Sequence, residues 1–456
     1  CFDSCLIVVD GYCVCLFFSS SDFSYNSLAQ FSCTILLYNF LSNQQQVTSL
    51  EMQVVELDGR CTEYRAKIRD AEQLRRNLHN QVMDLRGSIR VGCRVRPVLS
   101  GEEDQDASKA YAFPDVQFEQ RKIDIKINQE RFDRTVSKIH TFEFDRVFGP
   151  SSTQSDVYEE IAHMVQSAVD GYNVCIFAYG QTGSGKTHTM MGGSNSPLQG
   201  AERGMMPRAA EHIFSYCQEL REQGWTFDVT ATMVEIYCEQ IRDLTPSSID
   251  STCASQTNRK TTHTNKTHRR SSSCDLKHVR TEEGGWDTEI TNTNTLTMES
   301  TEDVLRLLDS AMAERATSET NCNARSSRSH TVLTLRIVGV DRDGKTTRKG
   351  QLHLIDLAGS ERLSVSGSAK DPKLLKETQN INSSLSCLGN VIGALARNRN
   401  GHIPYRDSKL THLLQHSLGG DSKALMFCNV SPVQRSLNES LTSLWFAEKV
   451  NQVARK

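Results

Sequence analysis

The sequence predicts an α/β layered domain around a largely buried sheet for residues 88 to 456. Apolar runs that are typical of buried strands alternate along the chain with amphipathic stretches of helical periodicity. The strand runs are SIRVGCRV, TFEFDRVF, VCIFAY, FDVTATMVEIY, HTVLTLRIVGV, QLHLIDLAG and KALMFCNVSP. The helical stretches are VYEEIAHMVQSAV, PRAAEHIFSYCQELR, TEDVLRLLDSAMAER and NINSSLSCLGNVIGALA. Alternation of the two kinds of element favours layers that share one sheet.

The composition is that of an ordinary soluble globular protein. Of the 456 residues, 38% are hydrophobic and 23% are charged, and the formal net charge is -3. This balance gives no global sign of a nucleic-acid partner, so none is predicted. The cysteines of the later sequence are scattered singly, without metal-ligand or disulfide spacing, which favours a reducing, cytosolic compartment. Cys13 and Cys15 are the exception, but their separation along a strand is a poor zinc spacing.

Residues 1 to 46 differ from the rest of the chain. The segment begins with Cys1, and no lysine or arginine precedes Arg60, so the basic residues of signal and transit peptides are missing. Its apolar runs are interrupted by Asp10 and are too short to cross a bilayer, so no membrane span is predicted. We expect this segment to be disordered, or to be a fragment edge or an artefact of the gene model.

Residues 47 to 87 are predicted to form a coiled-coil neck. Apolar residues recur there on alternating four- and three-residue steps, and only Arg75 breaks the series. About five heptads with charged residues between the seam positions are typical of a helix that pairs two chains, although Gly59 weakens the seam. The alternative is a solitary amphipathic helix packed on its own domain. The seam residues are Leu50, Val54, Leu57, Cys61, Tyr64, Ile68, Ala71, Leu78, Val82 and Leu85.

A polar insertion interrupts the α/β pattern at residues 247 to 280. It is rich in Ser, Thr and Asn and carries several basic side chains, which predicts a solvated, flexible loop. The run RRSSS within it could accept a phosphate group opposite its own arginines. The alternative on composition alone is an unmodified surface insertion.

A phosphate-binding loop is indicated by the stretch AYGQTGSGKTHTM. It matches the pattern GxxxxGK[ST] at Gly180, Gly185, Lys186 and Thr187. A buried-strand run precedes the pattern and the sequence after it suits a helix, an order that turns backbone N–H groups toward phosphates. This context predicts a nucleotide site in which Lys186 lies against the β- and γ-phosphates and the Thr187 hydroxyl binds Mg²⁺.

A second carboxylate for the metal is available in LHLIDLAGSE. Asp356 ends an apolar strand and could reach the metal through its water shell. Gly359 would have a backbone N–H free to meet a γ-phosphate, and its missing side chain would let the loop move when that phosphate leaves. Taken alone, Asp356 could be an ordinary strand-end acid, but the phosphate loop favours the metal role.

A third segment, NARSSRSH, concentrates hydroxyls and arginines; taken alone, it could be a polar turn that caps the next strand. In order and spacing, GQTGSGKT, NARSSRSH and DLAGSE resemble the nucleotide loop and the two switch segments of the kinesins. The resemblance continues in CRVRP, NINSSLSCLGNVIGAL and HIPYRDSKLTHLLQHSLGG and covers residues 88 to 450. It implies a P-loop NTPase-like motor with a central, mostly parallel or mixed sheet, helices on both faces and a preceding coiled-coil helix.

The resemblance also implies which residues bind ATP. Arg94, Arg96 and Pro97 would border the adenine, with His188 on its other side, an arrangement that suits a flat base next to a cation. The remaining residues expected to hold the nucleotide are Gly180, Gln181, Thr182, Gly183, Ser184, Gly185, Lys186 and Thr187.

Hydrolysis would depend on the two switch segments. Ser326 and Ser327 would close over Mg²⁺ and the γ-phosphate. Arg328 and Glu361 would form an ion pair that closes the site and helps to position the attacking water. The implied catalytic set is Ser326, Ser327, Arg328, Gly359 and Glu361, and the implied metal set is Thr187, Ser327 and Asp356.

A microtubule-stimulated ATPase is the activity that the resemblance implies. The segment from Glu361 through Leu375 would be a mobile loop, and the helix with Asn380 and Asn382 would relay the switch state to the microtubule face. Tubulin presents an acidic surface, so salt-sensitive binding is expected. The basic residues expected to contact it, each of which could equally be a solvated side chain, are Lys370, Lys373, Arg406 and Lys409.

The position of the neck indicates a class of motor. The predicted coiled coil precedes the motor segment and enters it through LRGSIRVGCRVRP, which resembles the neck junction of C-terminal-motor kinesins. That class moves toward microtubule minus ends, so the resemblance implies a homodimeric motor in the cytoplasm, on microtubules or the spindle. The alternatives are a microtubule crosslinker of this fold with weak ATP turnover, and a signalling GTPase, for which the sequence has no evident guanine-reading motif.

Four positions depart from the pattern of that class. Ser88 stands where asparagine is usual and Gly92 where phenylalanine is usual, which bears on how the neck couples to the motor. Ser383 replaces the usual lysine of the NINKSL pattern, and His412 replaces a larger basic or aromatic residue. These last two changes bear on microtubule affinity.

Overall fold

The computed structural model describes residues 2–9, 12–19, 23–102, 110–114, 120–131, 134–193, 198, 200–246, 274–280, 286–319, 325–344, 346–361, 372–397, 401–419 and 422–454. The chain divides into two units, Cys1–Leu74 and Arg75–Lys456. Most of the predicted insertion, residues 247–273, and most of the predicted mobile loop, residues 362–371, lie outside the described residues.

The first unit contains a hairpin and most of a long helix. Strands β1 (Phe2–Val9) and β2 (Tyr12–Ser19) pair antiparallel, and helix α1 (Phe23–Leu85) follows. The helix therefore runs through the boundary that the sequence suggested between residues 46 and 47. No helix in the described part of the chain is both long and apolar enough to cross a membrane. Apolar seam residues exposed within this unit include Leu50, Val54, Leu57, Tyr64 and Ile68.

A mixed sheet is the centre of the second unit. The strands of this unit are β3 (Ile89–Val95), β4 (Tyr111–Ala112), β5 (Lys122–Arg131), β6 (Arg134–Glu143), β7 (Arg146–Phe148), β8 (Asn173–Tyr179), β9 (Trp225–Tyr237), β10 (Gln240–Asp243), β11 (Asp275–Arg280), β12 (Trp286–Thr291), β13 (Leu296–Met298), β14 (His330–Asp341), β15 (Thr347–Asp356) and β16 (Lys423–Val430). Among the described residues, nine strands form the central sheet in the order β10-β9-β14-β15-β8-β16-β3-β7, with β13 paired to β9.

The central sheet has a parallel half and an antiparallel half. Strands β15, β8, β16, β3 and β7 pair parallel, whereas β14 pairs antiparallel with both β15 and β9. Parallel strands are buried on both faces and read as continuous apolar runs, which is why VCIFAY and KALMFCNVSP are recognisable in the sequence. The predicted nucleotide site lies at the carboxyl ends of β8 and β15, where ligands of α/β sheets usually bind.

Helices cover both faces of the central sheet. Their bounds are α2 (Gln154–Val169), α3 (Lys186–Met190), α4 (Met205–Glu222), α5 (Thr301–Glu319), α6 (Pro372–Arg397), α7 (Lys409–Leu413), α8 (Gln415–Leu418) and α9 (Leu437–Ala454). Val157 of α2 and Ile213 of α4 belong to one hydrophobic core, and Leu388 of α6 and Leu444 of α9 belong to the other. Adjacent residues of β8 enter opposite cores, since side chains alternate along a strand.

Parts of the second unit differ from the sequence prediction. TFEFDRVF, expected as one strand, is divided between β6 and β7, because the Asp145 carboxylate accepts a hydrogen bond of 2.7 Å from Val91 N. The end of the expected flexible insertion forms β11, which pairs antiparallel with β12. Helix α9 and the small sheet β4-β5-β6 were not predicted.

Candidate nucleotide site

The phosphate loop connects β8 to α3 and depends on three glycines. Gly180, Gly183 and Gly185 have φ of 149°, 76° and 95°, in the region that side chains disfavour. A Cβ at Gly180 would also lie 2.8 Å from the Ser184 hydroxyl and closer still to the carbonyl oxygen of Asn429. The predicted order of strand, loop and helix is therefore present, and the three glycines permit the backbone angles of the loop.

Lys186 is the first residue of α3, and it is buried. Its Nζ donates a hydrogen bond of 2.9 Å to the carbonyl oxygen of Gln181, across the mouth of the loop. Burial lowers the pKa of the Lys186 ammonium, and the carboxylates of Asp356 and Glu361 oppose that shift. A cation held in this way by a loop carbonyl is available to an anion that enters the loop.

Thr187 and Asp356 meet beneath the loop. Thr187 Oγ1 donates a hydrogen bond of 2.6 Å to Asp356 Oδ2, and Asp356 is buried. The contact follows from the topology, because parallel pairing of β8 with β15 places Asp356 opposite Ala178 at the strand ends. Asp356 Oδ1 and Ser184 Oγ are both buried, and neither atom makes a hydrogen bond within the described residues. A hydroxyl, a carboxylate and unsatisfied oxygen atoms form a donor set that suits Mg²⁺.

The two switch segments contact each other through the backbone. Gly359 N–H donates to the carbonyl oxygen of Ser327 (2.8 Å), and Ser360 N–H donates to that of Gly180 (3.1 Å). The expectation that the Gly359 N–H is free is therefore wrong for this conformation, because the backbone of Ser327 already accepts from it. The side chain of Ser326 lies outside the described residues.

Glu361 bonds to the phosphate loop. Its carboxylate accepts from Thr182 N (2.8 Å) and from Thr182 Oγ1 (2.5 Å). A Cβ at Gly359 would lie 2.5 Å from Thr182 Oγ1, so a side chain there would disrupt this contact. The absence of a side chain at Gly359 therefore makes room for Glu361 to reach the loop.

Arg328 bonds to helix α6. Its Nη1 lies 3.4 Å from Glu377 Oε2, and both side chains are mostly buried. The ion pair predicted between Arg328 and Glu361 is not formed in this conformation, because each member has another partner. Glu377 could not be recognised as a competitor from the sequence, since it is distant in the chain and no motif includes it.

Arg94, expected beside the adenine, is buried beneath α3. Its guanidinium donates to Gln154 Oε1 (2.8 Å) and to Thr189 Oγ1 (3.0 Å), and Asn429 Nδ2 donates to the same hydroxyl (2.8 Å). Burial lowers the pKa of Arg94 to about 10. The side chain offers little surface to a base, which favours a supporting role over a direct contact with the adenine.

Arg96, Pro97 and His188 lie nearer the surface, as a base-binding edge requires. Arg96 Nε donates to Gly183 O (2.6 Å), and its two terminal nitrogens bind both carboxylate oxygens of Glu102 (2.6 and 2.7 Å). Pro97 is exposed, and His188 is half-buried. Arg96 therefore connects the predicted adenine edge to the phosphate loop.

Gln154 and Asn429 are residues of this site that sequence reasoning missed. Gln154 Nε2 lies 2.9 Å from His188 Nδ1 while its amide oxygen accepts from Arg94, so one buried side chain joins two predicted residues. A polar residue inside the apolar run KALMFCNV was a visible signal for Asn429. No comparable signal marked Gln154, which lies at the exposed-looking start of an amphipathic helix.

The predicted microtubule face consists of α6, α7 and the turn before α7. Arg406 and Ser383 are exposed, whereas Lys409 donates to Asp275 of β11 (2.5 Å). His412 Nε2 lies 2.9 Å from Nε2 of His278, so the substituted position contacts the β11 strand. Asn380 and Asn382 are half-buried. Lys370 and the side chain of Lys373 lie outside the described residues.

The two departures at the neck junction have different surroundings. Ser88 is exposed, and its carbonyl oxygen accepts from Ala424 N (2.7 Å). Gly92 lies opposite Phe427 of β16, and a Cβ at Gly92 would lie 3.1 Å from that ring. The space that a phenylalanine at position 92 would need is therefore partly filled by the ring of the neighbouring strand.

The fold and the site together define a P-loop nucleotide-binding protein with two switch segments. A family model described as the kinesin motor domain matches residues 94–453. The chain therefore belongs to the kinesin family, and residues 94–453 are its motor domain.

Curated relatives agree with this assignment. The chain is 46% identical over 405 residues to Kinesin-like protein klpA of Emericella nidulans, covering 88% of this chain and 48% of that protein. It is 42% identical over 429 residues to Kinesin-like protein KIFC1 of Mus musculus, covering 90% of this chain and 59% of that protein. The chain thus spans about half the length of the curated relatives it matches.

Solved structures give the same fold. The C-terminal motor and motor homology domain of Kar3Vik1, fused to a synthetic heterodimeric coiled coil, matches with a TM-score of 0.74 at 36% identity, covering 92% of this chain and 99% of that one. The motor domain of the Kar3-like kinesin from Ashbya gossypii matches with a TM-score of 0.62 at 40% identity, covering 80% of this chain and 100% of that one. These matches confirm the predicted fold class and the likeness to C-terminal motors.

Proposed function

We propose that this chain hydrolyses Mg-ATP and uses the energy to move along microtubules toward their minus ends. The observation that carries the proposal is the hydrogen bond between Thr187 and the buried carboxylate of Asp356 beneath a phosphate loop, in a chain of the kinesin family. Such a pair has no structural need of its own, since one carboxylate oxygen remains buried without a hydrogen bond among the described residues.

Nucleotide binding would change the partners of Lys186. Its ammonium now bonds to the carbonyl oxygen of Gln181 and would transfer to the β- and γ-phosphates of ATP. Thr187 and Asp356, with Ser327 from the first switch, would hold Mg²⁺, which when bound supplies charge neutralisation to the phosphates. Arg96, Pro97 and His188 would enclose the adenine, without a direct part for Arg94.

Hydrolysis would require the switch residues to exchange partners. Arg328 would leave Glu377, Glu361 would leave Thr182, and the two released side chains would form the ion pair that orients the attacking water. The Gly359 N–H would likewise leave Ser327 to donate to the γ-phosphate. Glu361 and Ser360 already bond to the phosphate loop, and Gly359 to Ser327, which supports a small closing motion.

Microtubule binding would use the exposed side of α6 and the segment around α7. Arg406 is exposed there, and an exposed cation can contact acidic tubulin without losing another partner. Lys409 would contribute less than expected, since Asp275 already neutralises it. We therefore expect salt-sensitive binding and a cytoskeletal location, with the spindle as one candidate site of action.

The neck junction supports the proposed direction. Arg75, which breaks the heptad series, donates to the buried carboxylate of Asp170 (2.5 Å), and Arg76 donates to the carbonyl oxygen of the same residue (2.8 Å). Farther along α1, Asn80 and Asp84 accept from Lys423 Nζ. The end of the neck is thus attached to the body of the motor, and the exposed seam upstream of Arg75 would remain available to pair two chains as a homodimer.

Steady-state ATP hydrolysis with and without taxol-stabilised microtubules tests the proposal. We expect low turnover alone and a large stimulation by microtubules that weakens as the salt concentration rises. Tight microtubule binding without stimulated turnover would instead indicate a crosslinker, and hydrolysis of GTP in preference to ATP would indicate a signalling enzyme. The relatives and the intact phosphate loop do not favour either alternative.

A further inference from the structure

His330 lies where the two predicted switch segments and α6 meet. It is the last residue of NARSSRSH, the first switch segment, and the first residue of β14, and it is buried. Its Nδ1 accepts a hydrogen bond of 3.0 Å from Ala358 N in the second switch, and its Nε2 lies 2.8 Å from the Ser384 hydroxyl on α6. The imidazole therefore connects the end of one switch to the backbone of the other and to the helix beyond.

The direction of each hydrogen bond is fixed by chemistry. A backbone N–H can only donate, so Nδ1 of His330 carries no proton and the neutral ring carries its proton on Nε2. Nε2–H then donates to Ser384 Oγ, and that hydroxyl donates to the carbonyl oxygen of Ile381 (2.8 Å). Burial lowers the pKa of His330 to about 3, which keeps the ring neutral. The chain of hydrogen bonds from Ala358 to Ile381 is therefore complete.

Both ends of this chain of hydrogen bonds adjoin functional segments. Ala358 precedes Gly359, whose N–H bonds to Ser327 and would turn to the γ-phosphate in the proposed closed state. Ser384 belongs to the buried face of α6, whereas polar residues of the opposite face are exposed. The exposed residues, at helical spacing, are Gln379, Ser383, Ser386 and Asn390. A displacement of Ala358 would therefore be transmitted by the imidazole of His330 to Ser384, and so to α6 and the residues on its exposed face.

We propose that His330 is a positioning residue that couples the second switch to α6 by holding Ala358 N and Ser384 Oγ at once. It touches neither nucleotide nor microtubule, and it acts through the bonds that it makes to each side. This role rests on the proposed function and adds to it a specific residue through which the nucleotide state reaches the microtubule face.

The test compares ATP turnover of Ser384→Ala, His330→Asn and the double variant in the full chain. Ser384→Ala removes the acceptor on α6 and leaves the imidazole in place. His330→Asn keeps an acceptor near the Nδ1 position for Ala358 N but cannot reach Ser384. Each single variant should lower the microtubule-stimulated kcat about fivefold, the factor for one neutral hydrogen bond, while basal kcat and the KM for ATP stay within about twofold of the unmodified chain.

The double variant distinguishes coupling from simple packing. If both substitutions break the same contact, the double variant should be no worse than the weaker single variant, whereas independent packing defects would multiply. Ser417→Ala, which alters a buried serine of α8, is the matched control and should leave stimulation unchanged. Should His330→Asn fail to fold, Ser384→Ala alone still decides the outcome.

The outcomes separate this inference from the proposed function. Full stimulation in Ser384→Ala, or a matching loss of basal turnover, would overturn the role of His330 while leaving the motor intact. Absence of stimulation in the unmodified chain would overturn the proposed function itself. A loss confined to stimulated turnover, with unchanged co-sedimentation on microtubules, is the result that the role of His330 predicts.

Discussion

The phosphate loop and the switch segments lie at the ends of neighbouring strands, but they are held in different ways. The loop is shaped by glycine backbone angles and by close packing against Asn429, neither of which depends on a bound ligand. The switch residues Arg328 and Glu361 instead bond to partners that, in the proposed mechanism, they leave before hydrolysis. The phosphate loop is thus shaped by the fold itself, whereas the proposed turnover requires side-chain contacts to exchange.

The largest effect is expected on the loop side, from Lys186→Ala. The ammonium would form charge-assisted hydrogen bonds to two phosphates, so its loss should weaken ATP binding roughly 100-fold or more. Equilibrium binding of a fluorescent ATP analogue measures the change. Lys138→Ala, at an exposed lysine of β6, is the matched control and should bind normally. Tight binding by Lys186→Ala would mean that the loop does not hold phosphates.

Glu361→Ala, in the second switch, is expected to cause a large loss of ATP turnover rather than of ATP binding. ATP should still bind, because the loop backbone is unchanged, but microtubule-stimulated kcat should fall by about 10³, the scale for a group that stabilises phosphoryl transfer. Binding and turnover are measured on the same preparation, with Glu222→Ala as an exposed-carboxylate control. If Glu361→Ala lost ATP binding as much as turnover, the phosphate loop and the switch segments would not have separate roles.

Glu377→Gln is expected to raise basal ATP turnover, an effect smaller than the two losses described above. This change keeps the shape of the side chain but removes the charge that holds Arg328 at 3.4 Å. The contact is long for a charge-assisted hydrogen bond, so basal ATP turnover without microtubules should rise about two- to fivefold as Arg328 becomes available to Glu361. A fall in basal turnover would show that Glu377 assists hydrolysis rather than competing for the arginine.

The smallest expected effect is on how the free energy of unfolding depends on pH. Burial lowers the pKa of His353 on β15 to about 3, so the folded chain keeps it neutral while the unfolded chain protonates it near pH 6.5. Below pH 6.5 this difference should reduce the free energy of unfolding by about 1.4 kcal/mol per pH unit, until the folded pKa is reached. Urea unfolding at pH 7.5 and 5.5 should show a smaller pH difference in His353→Asn.

His402→Asn, which alters an exposed histidine, is the control for that experiment and should leave the pH difference unchanged. A pH difference in His353→Asn as large as in the unmodified chain would contradict the assignment of a neutral buried ring. The hydroxyl of Thr334, 2.9 Å from Nδ1 of His353, can bond to the asparagine amide as well.

The sequence was a good guide to features that depend on the backbone. Gly180, Lys186 and Thr187 lie as predicted because a glycine pattern after a buried strand permits few conformations. Asp356 follows for a similar reason, since parallel strand ends meet at one edge of the sheet. The break at Arg75 was visible too, although only the structure gives its reason, which is the carboxylate of Asp170.

Contacts between side chains that are distant in sequence could not be predicted. Arg328 bonds to Glu377 because α6 passes the end of the first switch, and no local pattern records that proximity. Arg94 was assigned to the adenine by resemblance, and its burial against Gln154 and Thr189 was not visible in the sequence. Both cases concern the choice of partner, which tertiary packing decides.

Gliding of polarity-marked microtubules over the surface-bound chain is the decisive measurement of the proposed minus-end-directed motion. With ATP present, we expect smooth gliding with the plus ends leading, as minus-end-directed motors produce, and no gliding with Lys186→Ala. Gliding with the minus ends leading would contradict the direction inferred from the neck. Microtubules that bind but never move would contradict the motor itself.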